Sequence, residues 1–227
     1  MASALNSLLM APSANSDPFE NAALSDSLRT LARRGELRRY KKGTVLIHEG
    51  DEGQTLFIIL TGRLRAFSTD ESASKEITYG SYGPGDYVGE MSLDGGPRSA
   101  SVEAQEATLC AVVTRRTIEA HLQLEPAFAF ELLAKISRRA RDATHSARQM
   151  ALEDVYGRLR RHLLSLATPQ VDGSSLIAPR PTHKAMAQSI GSGREMVSRV
   201  LKQLEKGGWI GLEPAALRIR RNLPPRY

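Results

Sequence analysis

Gly191-Ser192-Gly193-Arg194-Glu195-Met196-Val197-Ser198-Arg199-Val200-Leu201-Lys202 reads as a tight turn running into a helix. Met196, Val197, Val200, Leu201 and Leu204 recur at helical spacing, so one side of that helix is expected to pack inward. Arg194, Glu195, Arg199 and Lys202 then project from the other side. A helix that offers guanidinium and carboxylate groups from its first turns has the chemistry to read guanine and cytosine edges in a DNA major groove. Double-stranded DNA is therefore the first expected partner.

Charge supports this once it is divided by region. The chain has 227 residues and a formal net charge of +6. Residues 154–227 hold 13 Lys and Arg against 5 Asp and Glu, while residues 1–153 hold 18 against 20. The basicity belongs to the last third, as expected of a nucleic-acid module joined to a nearly neutral partner; the alternative is a solvated basic face.

The sequence around that module is organised in blocks. Residues 1–18 read as a flexible tail, and 22–34 as a short amphipathic helix. From 37 to about 113, short apolar runs (45–47, 55–60, 64–67, 76–79 and 108–113) alternate with glycines where turns need positive φ, which indicates an antiparallel barrel or roll. Pro126 opens a helical stretch to about Glu153 with no further Gly or Pro. Its stripe, Leu132, Leu133, Ile136, Ala140, Ala143, Ala147 and Met150, has roughly coiled-coil spacing. A homodimer through this helix is expected, the alternative being a helix laid back on its own roll. A second helix spans 155–167, and a polar connection covers 168–181. Thr182 is a suitable N-cap for the next helix, which Gly191 ends. Residues 208–212 and 216–220 read as two strands after the reading helix, completing a winged helix-turn-helix. The expected class is thus α+β with a roll domain at 19–125, a dimerisation helix at 126–153 and a reader domain at 154–227.

Inside the roll, Gly85-Asp86-Tyr87-Val88-Gly89-Glu90-Met91-Ser92-Leu93 and Gly95-Gly96-Pro97-Arg98-Ser99-Ala100 bring backbone amides, a carboxylate, a guanidinium and hydroxyls together. Amides and Arg suit a phosphate, and a carboxylate suits ribose hydroxyls. The alternative is a Gly-rich turn in which Glu90 and Arg98 pair with each other.

Gly89-Glu90 followed by Arg98-Ser99-Ala100 resembles the phosphate-binding cassette of cyclic-nucleotide-binding domains. With the long helix and the Arg194-Glu195 turn, the chain resembles the CRP/FNR family of bacterial transcription regulators over about residues 19–221. The resemblance implies that Arg98 and Ser99 hold the cyclic phosphate, that Glu90 accepts from the ribose 2′-hydroxyl, and that Gly89 and Met91 line the site. It implies that the base reaches Ala143 and Thr144, where only Thr144 carries a hydroxyl. Cyclic AMP is then the favoured effector and cyclic GMP a second candidate, with cyclic-di-GMP as the alternative on the same scaffold and a ligand-independent regulator with a vestigial pocket as another.

On the DNA side the resemblance implies that Arg194, Glu195 and Arg199 read a palindrome with TGTGA-like half-sites. Thr182, His183, Lys184, Ser192 and Lys202 would lie near phosphates. RNA polymerase is the implied protein partner, with 168–175 as a positional candidate for that contact and 153–154 as the hinge.

Other classes lack their residues. One cysteine, Cys110, cannot support an iron–sulfur cluster or a disulfide framework within the chain. His48, His121, His145, His162 and His183 are scattered, so no metal or haem site is expected. No HExxH, P-loop, nucleophile elbow or dinucleotide fingerprint occurs, so no enzyme is expected. The first ten residues lack a charged n-region, and no apolar run is long enough to span a bilayer, so a cytoplasmic location is expected.

Overall fold

The computed structural model describes residues 17–20, 23–70 and 76–225; the expected tail falls almost wholly outside them, as does Ala22. Helix α1 (Asp26–Ala32) precedes strands β1 (Glu36–Tyr40), β2 (Val45–Ile47), β3 (Thr55–Thr61), β4 (Leu64–Thr69) and β5 (Glu76–Tyr82). Then come β6 (Tyr87–Val88), β7 (Ser101–Ala104) and β8 (Thr108–Thr114). Among the described residues these form two antiparallel sheets, ordered β1-β8-β3-β6 and β2-β7-β4-β5.

The alternating direction of strand side chains explains why the central runs are apolar throughout. Leu56, Ile58 and Leu60 of β3 and Leu109, Ala111 and Val113 of β8 face a helix-covered core with Leu28, Leu31, Ile118 and Phe128. Phe57, Ile59 and Cys110 face the other way, into the core between the sheets with Ile47, Leu64 and Val102. Burial there pushes the Cys110 thiol up to about 12, which leaves it a packing residue.

Helices α2 (Arg115–Leu124) and α3 (Phe128–Leu152) follow the roll. α2 was not marked by the sequence pattern, and α3 starts two residues after Pro126, because Ala127 occupies the N-cap position. Leu132 departs from the expected stripe: it packs with Phe128 into the helix-covered core. Leu133, Ile136, Ala140, Ala143, Ala147 and Met150, spaced at three and four residues, are all exposed. Phe128 and Leu132 hold the start of α3 to the roll, and the six residues that follow them along the helix are exposed.

Glu153 and Asp154 break the chain between α3 and α4 (Val155–Leu166). Asp154 caps α4 by accepting from the Gly157 N–H at 2.7 Å. Beyond it lie β9 (Thr168–Pro169), β10 (Ser175–Ile177), α5 (His183–Ile190), α6 (Arg194–Lys206), β11 (Ile210–Leu212) and β12 (Leu217–Ile219). The region 168–181, expected to be a polar connection, contains β9 and β10, which join the wing as a sheet ordered β11-β12-β10-β9. Pro169 and Asp172-Gly173 masked this hairpin, since two- and three-residue strands carry almost no periodic signal. The reader has its own core, in which Leu159, Leu163, Met186, Val197, Leu201, Leu204, Leu217 and Ile219 meet.

His121 ties the helical layer together. It is fully buried, lies 3.0 Å from Ser27 Oγ through Nε2, and meets the Phe128 ring edge-on at 5.0 Å. Its Nδ1 has no partner among the described residues. Burial lowers its pKa below the ordinary 6.5, opposed by Glu125 and Glu131 and reinforced by Arg34. A histidine depressed in the native state stabilises the fold fully above the unfolded-state pKa of 6.5 and loses that contribution as pH falls below it. Thermal unfolding followed from about pH 8 to about pH 5 is expected to show a falling midpoint in the acid range, and His121→Leu is expected to flatten that slope.

Candidate cyclic-nucleotide and DNA sites

The Gly89 to Ser99 segment leaves β6 through Gly89, whose φ of 94° suits glycine. A Cβ there would stand 2.6 Å from the Thr55 carbonyl oxygen and 2.7 Å from Arg98 Nη1. Glycine thus lets the Arg98 guanidinium approach the backbone. Arg98 is 6% exposed and donates through Nη1 to the carbonyls of Thr55 and Gly89, each at 3.0 Å, and through Nη2 to Thr55 Oγ1 at 2.9 Å. All three acceptors are uncharged. Burial depresses the Arg98 pKa, with the charges of Glu90 and Asp51 opposing it, yet no carboxylate among the described residues forms an ion pair with it. A buried guanidinium with only neutral acceptors is a strong standing attraction for an anion.

Glu90 does not pair with Arg98. It opens a single 3₁₀ turn, Glu90–Ser92, is 2% exposed, and takes Arg139 of α3 as its ion-pair partner. Arg139 also donates to the Tyr87 carbonyl at 2.5 Å and lies over the Tyr82 ring at 4.5 Å. The second Glu90 oxygen, the Tyr87 hydroxyl and Arg139 Nε are buried without partners among the described residues. Polar groups left unpaired at this depth are what a ligand hydroxyl or a bound water would satisfy. Beside this site, Asp86 forms an ion pair with Lys135 of α3.

Ser99 is exposed, and its hydroxyl lies 3.4 Å from the Met91 sulfur. Ala143 and Thr144 are exposed on α3, and the Thr144 hydroxyl donates to the Ala140 carbonyl at 2.9 Å. The structure therefore brings Gly89, Glu90, Met91, Arg98 and Ser99 together, but joins neither Ala143 nor Thr144 to them by a hydrogen bond. The link to α3 is Arg139, which sequence reading passed over along with Thr55, Tyr82 and Tyr87. An Arg in a basic helix carries no local mark of where its guanidinium will land. Removing it with Arg139→Ala leaves Glu90 buried and unpaired, and chemical denaturation is expected to register a loss on the order of 3–5 kcal/mol.

In the reader, Thr182 caps α5 by accepting from the Ala185 N–H at 3.1 Å, and Gly191 ends it at φ 60°, ψ 50°. The N-cap position of α6 is Gly193, which offers no side-chain hydrogen bond. The first amides of α6 are thus not occupied by a capping side chain, an arrangement that favours phosphate. His183 Nδ1 lies 2.7 Å from Ser198 Oγ, linking the two helices. Lys184 is exposed and Ser192 half-buried. Met196 was expected inside the helix but is exposed beside Arg199, so Val197, Val200, Leu201 and Leu204 carry the packing.

Most described arginines of the reader are engaged by the fold, Arg161 by its ion pair with Glu153, while Arg194, Arg199 and Arg220 are not. Arg158, Arg160, Arg180, Arg218 and Arg221 are tied to backbone carbonyls or carboxylates of their own domain. Arg194, Glu195, Arg199 and Lys202 are all exposed, and no hydrogen bond or ion pair engages their side chains among the described residues. Charged heads on the first turns of the second helix are thus left available to a partner. Among the described residues no group of three or more His, Cys, Asp or Glu side chains could hold a metal ion, and no helix is long and apolar enough to cross a membrane.

Comparison with known proteins agrees with this layout. Residues 37–124 match the cyclic nucleotide-binding domain family, and residues 157–221 match the Crp-like helix-turn-helix domain family. The chain is 34% identical to the cyclic AMP receptor protein of Thermus thermophilus over 184 residues, covering 81% of this chain and 83% of the relative. It is 31% identical to the cAMP-activated global transcriptional regulator CRP of Escherichia coli over 176 residues, covering 74% and 82%. The same fold is seen in the c-di-GMP responsive global regulator CLP of Xanthomonas campestris, with a TM-score of 0.75 at 22% identity over 86% of this chain and 99% of that one. With a cyclic nucleotide-binding domain followed by a Crp-like helix-turn-helix domain, and with these relatives at 34% and 31% identity, the chain belongs to the CRP/FNR family of DNA-binding transcription regulators, which are not enzymes.

Proposed function

We propose that this regulator is a homodimer whose affinity for a palindromic operator is set by a cyclic nucleotide bound beside α3, with domains divided near residues 18, 125 and 153. The observation that carries the reading is the Arg98 guanidinium, buried among neutral acceptors next to a Glu90 oxygen that lacks a partner. A cyclic phosphodiester would neutralise the first and a ribose 2′-hydroxyl would donate to the second. Ser99 and the Gly89 and Met91 backbone would complete the cradle, and the base would lie toward Ala143 and Thr144. Relatives named for cyclic AMP favour that effector. The missing hydroxyl at Ala143 is the reason to test cyclic GMP and cyclic-di-GMP beside it.

The exposed row Leu133, Ile136, Ala140, Ala143, Ala147 and Met150 supports the dimer, because its three-four spacing suits a two-helix seam. A symmetric dimer sets two α6 helices on successive major grooves of a palindrome with TGTGA-like half-sites. Arg194 and Arg199 would take guanine O6 and N7, and Glu195 cytosine N4. Thr182, His183, Lys184, Ser192 and Lys202 would hold phosphates. RNA polymerase is the protein partner, meeting the hairpin around Val171, whose side chain stands wholly in solvent. A cytoplasmic location follows from these partners.

Calorimetric titration with cyclic AMP, cyclic GMP and cyclic-di-GMP tests the pocket. One of them is expected to bind, and Arg98→Gln is expected to weaken it by about 100-fold. No binding of any of the three would leave the pocket vestigial. The same nucleotide is expected to tighten operator binding at fixed salt, and the operator to tighten nucleotide binding by the same factor. Arg194→Ala is expected to cost about 1–3 kcal/mol against the specific duplex and to relax selectivity at one base pair.

A further inference from the structure

Helix α6 divides its side chains between core and solvent by polarity, with one exception. Val197, Val200, Leu201 and Leu204 fill the reader core. Arg194, Glu195, Arg199, Lys202 and Gln203 are exposed, and each carries a charged or hydrogen-bonding head. Met196 is the one apolar side chain of α6 that stays outside, 39% exposed on the first turn.

Its neighbours set what it can reach. Met196 lies three residues before Arg199, and residues so spaced stand side by side on a helix surface. Long helical side chains also lean back over the preceding turn, which for Met196 starts at Gly193. Gly193 has no side chain, and an added Cβ there would meet nothing within 4 Å. Met196 is thus offered toward the open N-terminal end of α6, between Arg194 and Arg199, which are exposed and unpaired among the described residues.

The chemistry of a thioether narrows the partner. It carries no charge and donates no hydrogen bond, and its sulfur is only a weak acceptor. It has nothing to offer a phosphate and no pattern of donors to match a base edge. What it gains from a partner is apolar contact with water excluded. The base-pair edges of a major groove present one apolar group, the C5-methyl of thymine.

We propose that Met196 is a specificity-determining residue that reads the C5-methyl of a thymine in the operator half-site. The proposal rests on the base-reading assignments of α6 above and is independent of which nucleotide is the effector. Arg194, Glu195 and Arg199 select guanine and cytosine; Met196 adds selection of an A·T pair, which those three side chains lack.

Deoxyuridine tests the contact at the level of one methyl group, since it pairs as thymine does but lacks the C5-methyl. Duplexes with two TGTGA-like half-sites are prepared with each thymine of one half-site replaced in turn. Thymines outside the half-sites serve as the reference. Affinity is measured at fixed salt with cyclic AMP present, and the readout is the ratio between duplexes, which a change in overall affinity leaves alone. Wild-type protein is expected to lose about fourfold at one of these thymines, the effect of burying one methyl. Met196→Ala is expected to bind that duplex and its thymine parent within about 1.5-fold of each other. Met196→Leu, which keeps an apolar chain of similar volume, is expected to retain the preference. Both are good helix formers at an exposed position, so α6 is retained. A wild-type protein indifferent to every replacement in the half-site would overturn the assignment, as would a Met196→Ala variant that keeps the full thymine preference. Wild-type protein that binds the TGTGA-like duplex no better than a scrambled one would instead overturn the base-reading assignments of α6 as a whole, Met196 with them.

Discussion

The ion pair between Glu90 and Arg139 is the constraint on which the rest of the molecule depends. A carboxylate 2% exposed in the roll needs a partner brought from elsewhere, and α3 supplies it. Phe128 and Leu132 anchor the start of the same helix in the roll core. Lys135 meets Asp86 one turn before Arg139. These contacts fix both the position of α3 and its rotation about its own axis. Beyond the anchored start, the six residues that a two-helix seam would use remain outside. The same pair leaves one Glu90 oxygen without a partner among the described residues, so the contact that orients α3 also leaves a buried acceptor open in the roll.

The reader follows a complementary rule. Most of its arginines are consumed in holding wing, helix ends and hinge together. Arg158 alone joins the Glu153 carbonyl at the hinge to the Ile190 carbonyl at the end of α5. Arg194, Glu195, Arg199 and Lys202 of α6 are among the charged residues that stay exposed and unpaired among the described residues, as Arg220 does after β12. Net charge on the whole domain would not distinguish these two groups, because both contribute equally to it. Their separation depends on which guanidiniums the fold surrounds with acceptors.

Much of this was legible in residue order. The helix boundaries at Thr182 and Gly191 follow from capping chemistry that acts within three or four residues. The long apolar strands β3 and β8 and the glycine-punctuated roll are equally local in origin. Short strands were harder: β6 and β9 have two residues each, too few for a period to register. Met196 illustrates a different failure. Its spacing fits the inner face of α6, but the helix rotates so that Val197 and Val200 fill the core and Met196 stands at the edge.

Residue identities alone determined the order of roll, long helix and reader, the cassette from Gly89 to Ser99, and the charged heads of α6. These depend on local geometry and on side-chain chemistry that is the same wherever the segment lies. Only the tertiary structure decided which charges pair. Glu90 meets Arg139 across 49 positions of chain, Gln188 meets Glu76 across 112, and Arg98 turns to backbone carbonyls rather than to the nearby Glu90. A charge finds its partner by burial and by the direction of the element that carries it. Both are set by packing between segments far apart in sequence, and no local pattern encodes them.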